Sequence, residues 1–189
     1  MRGTTATSHV RQASPWRRAI GATFAVIVAL AATAATHAQD RTATDGKLPR
    51  FASLKASEVN LRRGPGTEYP TAWVFRRAGL PVEVLEEHEA WRQVRDADGT
   101  TGWVIRSLIS GRRTAQVLPW EVKEGQARPQ LPLHARASDG SGTVVMLEAG
   151  VIADVFSCDG TWCYIGVESF RGYIRQAKLW GVYAGELLE

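Results

Sequence analysis

The chain has 189 residues and a formal charge of +4, with ordinary apolar content, 18 Gly, 8 Pro and 2 Cys. That excludes a disulfide-scaffolded miniprotein, a collagen-like repeat and a low-complexity chain, and it leaves room for one or two small domains. Arg2, Arg11, Arg17 and Arg18 lie in the first 38 residues with no acidic residue among them, so they carry the whole formal charge; the other 19 Lys and Arg balance the 19 Asp and Glu, which argues against nucleic acid as a partner.

Ala19 to Ala35 is an uncharged, Ala-rich run of 17 residues, preceded by Arg17-Arg18 and followed by Thr36-His37-Ala38. A positive stretch, a short apolar stretch and small residues two apart make a secretory signal, residues 1–38, cut after Ala38. The run falls short of the roughly 20 strongly apolar residues that spanning needs, so no stable membrane span is expected after cleavage, and the mature chain is expected in the periplasm or another extracytoplasmic space. The Arg pair suits the twin-arginine route and equally a chance pair, which leaves the route open. Residues 39–50 are polar and expected to be flexible.

The remaining chain reads as short strands. The first set runs Glu58 to Arg62, Ala72 to Arg76, Pro81 to Glu87, Trp91 to Asp96 and Thr101 to Ile105, separated by Gly64-Pro65-Gly66, Ala78-Gly79, His88-Glu89-Ala90 and Ala97-Asp98-Gly99. Runs of this length between Gly, Pro and Asp turns indicate an antiparallel barrel or sandwich. A second set follows at Thr143 to Leu147, Val151 to Ser157, Trp162 to Val167 and Phe170 to Arg175. The two align at an offset of 71 residues: Gly79 with Gly150, Val84 with Val155, Trp91 with Trp162, and, after single-residue gaps, Gly102-Trp103-Val104 with Gly172-Tyr173-Ile174 and Leu61 with Leu133. The expectation is an all-β chain with a first module at 51–111, a linker at 112–130 and a diverged second module at 131–183. Val117, Leu118 and Trp120 are apolar enough to pack between the modules. Residues 51–115 carry 10 basic and 8 acidic side chains and residues 120–189 carry 6 and 9, a mild opposition that favours their packing.

Three motifs in the first module, Val59-Asn60-Leu61-Arg62-Arg63-Gly64-Pro65-Gly66-Thr67, Trp91-Arg92-Gln93-Val94 and Gly102-Trp103-Val104, occur in a fixed order. The set resembles the bacterial SH3-like domain, a small β-barrel carried by many exported and cell-envelope proteins. The resemblance covers about Ser53 to Ser110 well and Leu131 to Trp180 more loosely, and it implies two tandem small SH3-like barrels. In the second copy Leu131-Pro132-Leu133-His134 replaces Val59-Asn60-Leu61-Arg62, and Pro132 has no backbone donor; whether that module binds anything is left open. Within the first copy, alternation makes Val59 to Arg62 a half-buried strand that ends at a Gly-Pro-Gly turn where positive φ is tolerated. Asn60 is expected to tie down the following loop, Trp91 and Val94 to fill the barrel and Trp103 to sit at its rim. The candidate ligand contacts are Asn60, Arg62, Tyr69 and Trp103, where aromatic and Arg groups meet a peptide carboxylate.

Cys158 and Cys163 flank a turn, and with Gly160-Thr161 as a two-residue loop they face each other across a hairpin, within reach of a disulfide. An oxidising compartment favours the bond; free or redox thiols and a metal site are the alternatives, though only His88 and His134 remain in the mature chain as histidine ligands. The same offset puts Glu87 opposite Arg92, an ion pair where the second copy has its cysteines. Glu83, Glu86, Glu87 and Glu89 read as a solvated face. No Ser-His-Asp set, phosphate loop or metal constellation stands out, so no enzyme, cofactor or metal is expected. The functional expectation is a non-catalytic exported module that binds a cell-wall peptide or an envelope protein, with a structural adaptor and a thiol-disulfide redox protein as the alternatives.

Overall fold

The computed structural model describes residues 47–189; the signal segment at 1–38 and the first part of the expected flexible segment, 39–46, lie outside the described residues. What is described is all-β. The first barrel consists of β1 (Arg50–Leu54), β2 (Val59–Arg62), β3 (Thr71–Phe75), β4 (Pro81–His88), β5 (Trp91–Arg95), β6 (Thr101–Ile105) and β7 (Ile109–Ser110). The second consists of β8 (Thr114–Val117), β9 (Gln130–His134), β10 (Thr143–Glu148), β11 (Ile152–Asp159), β12 (Trp162–Val167), β13 (Phe170–Arg175) and β14 (Leu179–Trp180), with β15 (Leu187–Leu188) added alongside β11. Among the described residues every strand pairing is antiparallel, and the strand order β3-β2-β6-β5-β4-β1-β7 recurs as β10-β9-β13-β12-β11-β8-β14. Both barrels belong to one compact unit.

The repeat is visible at the level of single residues. Val59, Leu61, Val84, Val94 and Val104 fill the first core, and Leu133, Val155, Ile165 and Ile174 take the matching places in the second. Both β4 and β11 carry a bulge after the matched valine, where Leu85 and Phe156 interrupt the register. Gly102 is required because a Cβ there would lie 2.6 Å from Leu61 Cγ, and Gly172 because its Cβ would lie 2.8 Å from Leu133 Cγ. Strands meet side by side at these two points with no space for a side chain.

Several expectations need correction. The segment 112–130 is not simply a linker, because Thr114–Val117 is β8, the counterpart of β1, and Ala115, Val117 and Leu118 are buried in the second core. Trp120 stays 49% exposed and does not pack between the modules. The segment 39–50 ends in a strand residue, since Arg50 opens β1. Trp91 does not fill the first barrel; it lies three residues from Val94 and therefore on the opposite face, half-buried and outside the core. Glu83 is buried, not part of a solvated face, whereas Glu86 and Glu89 are exposed.

The Glu87–Arg92 expectation holds in register: the two are cross-strand partners, with Arg92 Nε 3.1 Å from Glu87 Oε1. Arg50 Nη2 reaches the same oxygen at 2.6 Å. In the second barrel Cys158 and Cys163 occupy the equivalent pair and form a disulfide whose residues belong to the second core.

Candidate binding site

Two of the other three expected contact residues, Tyr69 and Trp103, meet Arg62. Arg62 and Trp103 are cross-strand partners between β2 and β6, and Arg62 Nη1 donates to the carbonyl oxygens of Tyr69 (2.7 Å) and Thr67 (3.1 Å). The loop-tying role expected of Asn60 therefore falls to Arg62; Asn60 lies on the same outer face, opposite Val74, exposed and with no side-chain hydrogen bond among the described residues. The Gly-Pro-Gly turn works differently from expectation as well. Neither glycine takes a positive φ; Gly64 is needed because the Tyr69 ring lies so close that a Cβ would come within 2.4 Å of it. Trp103 is buried rather than at a rim, 9% exposed, with the His88 ring edge-on to it at 6.3 Å. Arg62 thus braces a loop whose exposed aromatic group is Tyr69, while Asn60 takes no part in the bracing.

A groove opens on the other side of β3. It encloses about 660 Å³ and is lined by residues 73–76 of β3 and its end, by Leu80, Pro81 and Val82 at the start of β4, and by Asp96, Ala97, Asp98 and Thr100 in the β5–β6 turn. None of the four expected contact residues lines it. Trp73, cross-strand from Leu61, stands 58% exposed as its wall, while Phe75 and Val82, both core residues, form its floor. As the outer strand of its sheet, β3 keeps one row of backbone donors and acceptors that no strand pairs with. Trp73 was missed in the sequence because Thr-Ala-Trp-Val-Phe carries no feature that separates a rim aromatic from a core one; its lone position in a short edge strand was the only cue.

The groove's turn end is acidic. Asp96 Oδ1 accepts from the backbone N–H groups of Thr100 (2.8 Å) and Asp98 (3.0 Å), which fixes the carboxylate. Burial pushes the Asp96 pKa up and the neighbouring Asp98 adds to that, against the pull of the two backbone donors. Two cations beside the groove are engaged elsewhere: Arg95, adjacent to Asp96 in sequence, donates through Nε to Glu83 at 2.9 Å, and the lining residue Arg76 reaches Glu58 at 3.4 Å.

One lining residue, Gln116, comes from β8 of the second barrel, so the joint between barrels matters to the groove. Ser53 and Thr114 hydroxyls are 2.6 Å apart, and Thr114 Oγ1 donates to the Gly79 carbonyl. Phe51 packs against Trp180 and Tyr183, with ring centroids at 5.1 and 4.7 Å. Tyr183 Oη donates to buried Glu83 (3.0 Å), and Arg95 lies over the Trp180 ring at 5.9 Å. Burial, followed by the hydrogen bond to Glu83, pushes the Tyr183 hydroxyl well above the ordinary tyrosine range. Among the described residues no group of three or more His, Cys, Asp or Glu is placed to hold a metal, and no helix is long and apolar enough to cross a membrane.

Comparison with known families matches the model described as the bacterial SH3 domain to residues 55–111 and 127–181. Nothing among curated proteins matches the chain. Two solved structures, NlpC2 and NlpC1 from Trichomonas vaginalis, are similar at 13% and 14% identity, each with a TM-score of 0.31. The alignments cover 72% and 73% of this chain and 49% and 48% of theirs, so the chain spans about half the length of these structures.

Proposed function

The chain belongs to the bacterial SH3 domain family, and from that premise we propose that it is a non-catalytic, exported binding module of the cell envelope that holds an extended cell-wall peptide in the Trp73 groove. The observation that carries the reading is the groove itself: about 660 Å³, walled by a tryptophan that is 58% exposed, and bordered by an edge strand with backbone groups to spare. An extended peptide adds to such an edge through main-chain hydrogen bonds, while a pocket takes a side chain. Trp73 supplies a large, rigid apolar contact, and Asp96 and Asp98 suit an amino group on the peptide. Export is supported by the charged, apolar and small-residue order of residues 1–38.

The test is retention of the purified protein on insoluble peptidoglycan. The unaltered protein is expected to sediment with it and Trp73→Ala to lose roughly tenfold in affinity, the scale of a buried aromatic anchor. Absence of retention at any concentration removes the wall-binding reading. A protein partner in the envelope is the second reading, favoured by β10, the edge strand of the other barrel, which exposes Val144 (39%) and Met146 (48%). On that reading the protein ignores peptidoglycan and is crosslinked through β10 to an envelope protein.

A further inference from the structure

We propose that the second barrel acts as a fixed wall of the first barrel's groove, through Gln116, and that Trp180 and Tyr183 are positioning residues that hold it there; the binding unit is the barrel pair, with one such site per chain. The inference rests on the Trp73 groove being the peptide site. Its starting point is that Gln116 lines that groove although it belongs to β8, a strand of the other sheet. Gln116 is half-buried, and its backbone is pinned on both sides, opposite Ile152 of β11 and opposite Trp180 of β14. Whatever fixes Trp180 on the first barrel therefore fixes Gln116 at the groove.

Trp180 is fixed by first-barrel groups. Phe51 meets its ring at 86° and Arg95 lies over it. Arg95 is held by Glu83, which also accepts from Tyr183 Oη. Arg95 directly precedes Asp96, which lines the groove. Glu83 and Arg95 of the joint thus adjoin, along β4 and at the end of β5, the lining residues Val82 and Asp96. A rigid wall spares the ligand the entropy of ordering two domains on arrival. The joint's contacts come from Phe51, Glu83 and Arg95 on the first barrel, positions where the second barrel's counterparts are Thr114, Asp154 and Gly166, as the shared strand registers place them. The second barrel thus keeps a carboxylate, Asp154, but lacks the aromatic ring and the arginine that build this joint.

The experiment measures affinity for soluble muropeptides released from purified peptidoglycan, with the fold of each variant checked by thermal unfolding. Gln116→Ala, which leaves the β8 backbone pairing in place, is expected to weaken binding about three- to tenfold, the scale of one hydrogen bond. Trp180→Ala and Tyr183→Phe are expected to weaken it as well, although neither residue lines the groove. In the Trp180→Ala background, Ser53→Cys with Thr114→Cys, whose parent hydroxyls are 2.6 Å apart across the joint, is expected to restore affinity when oxidised and lose it when reduced. Stoichiometry is expected to be one peptide per chain. If the unaltered protein binds while Gln116→Ala and the joint variants bind equally well, or if two peptides bind per chain, the composite site is wrong and the groove reading stands. If the unaltered protein does not bind, both fall.

Discussion

Glu87 shows how far a single residue can be read in advance. Its partner, Arg92, follows from the repeat offset and the hairpin register, and the structure has the pair. Its surroundings do not follow, because burial depends on what folds over the pair. Arg50 arrives from β1 to share the Glu87 carboxylate, and the Arg92 side chain is 5% exposed. An exposed pair is worth a few tenths of a kcal/mol to about 1. Removing the acid here leaves Arg50 and Arg92 side by side with little water, and because the Glu87 side chain is 26% exposed the cost falls below that of a fully buried pair. Glu87→Ala is expected to lower unfolding stability by about 2 kcal/mol in denaturant titration; a loss of a few tenths would place the pair in solvent. Trp91, Trp103 and Asn60 show the same limit. Their strands are legible, yet which face is covered, and by what, is decided by distant segments.

At the scale of the element, most strands were legible from their Val, Trp and Ile content between Gly, Pro and Asp turns, and β1 and β8 were not. Val59 to Arg62 alternates, and β5, β6, β12 and β13 begin and end within one residue of expectation. By contrast β1 and β8 are buried nearly throughout, one face on a core and the other on the neighbouring barrel, so Arg-Phe-Ala-Ser-Leu and Thr-Ala-Gln-Val show no clear period. That is why β8 reads as linker from sequence. The hairpins β4–β5 and β11–β12 solve one closure with different chemistry, an ion pair in the first and the Cys158–Cys163 bond in the second. Cys158→Ser with Cys163→Ser is expected to cost about 2 kcal/mol, the chain-entropy value for so short a loop. Glu87→Cys with Arg92→Cys is expected to form the matching bond in the first barrel, seen as a mobility shift on reduction. A double variant that stays reduced in air would mean the hairpins are not equivalent.

For the whole molecule the joint is decisive, and it was the least legible part. Tyr183 lies at the limit of the expected second module, yet its hydroxyl reaches Glu83 a hundred residues earlier. Such a contact depends on the placement of two finished barrels, which no local pattern encodes. The folded chain holds the Tyr183 proton more tightly than the ordinary value of about 10. Below that pH the proton is bound in both states and stability is intact; above it the unfolded chain ionises first, so stability falls as pH rises. The difference in stability between the protein and Tyr183→Phe is therefore expected to be constant to about pH 10 and to shrink above it. A difference that stays flat to higher pH would detach Tyr183 from Glu83.

The groove is where residue, strand and joint meet, and amide chemical-shift mapping of the protein during titration with soluble muropeptides tests it most directly. The changes are expected to gather at Trp73, Phe75, Leu80, Asp96 and Thr100, with Gln116 of the second barrel moving along the same titration curve. Shifts confined to the loop of Arg62 and Tyr69, or to β10, or no shifts at all, would contradict the groove as the binding site.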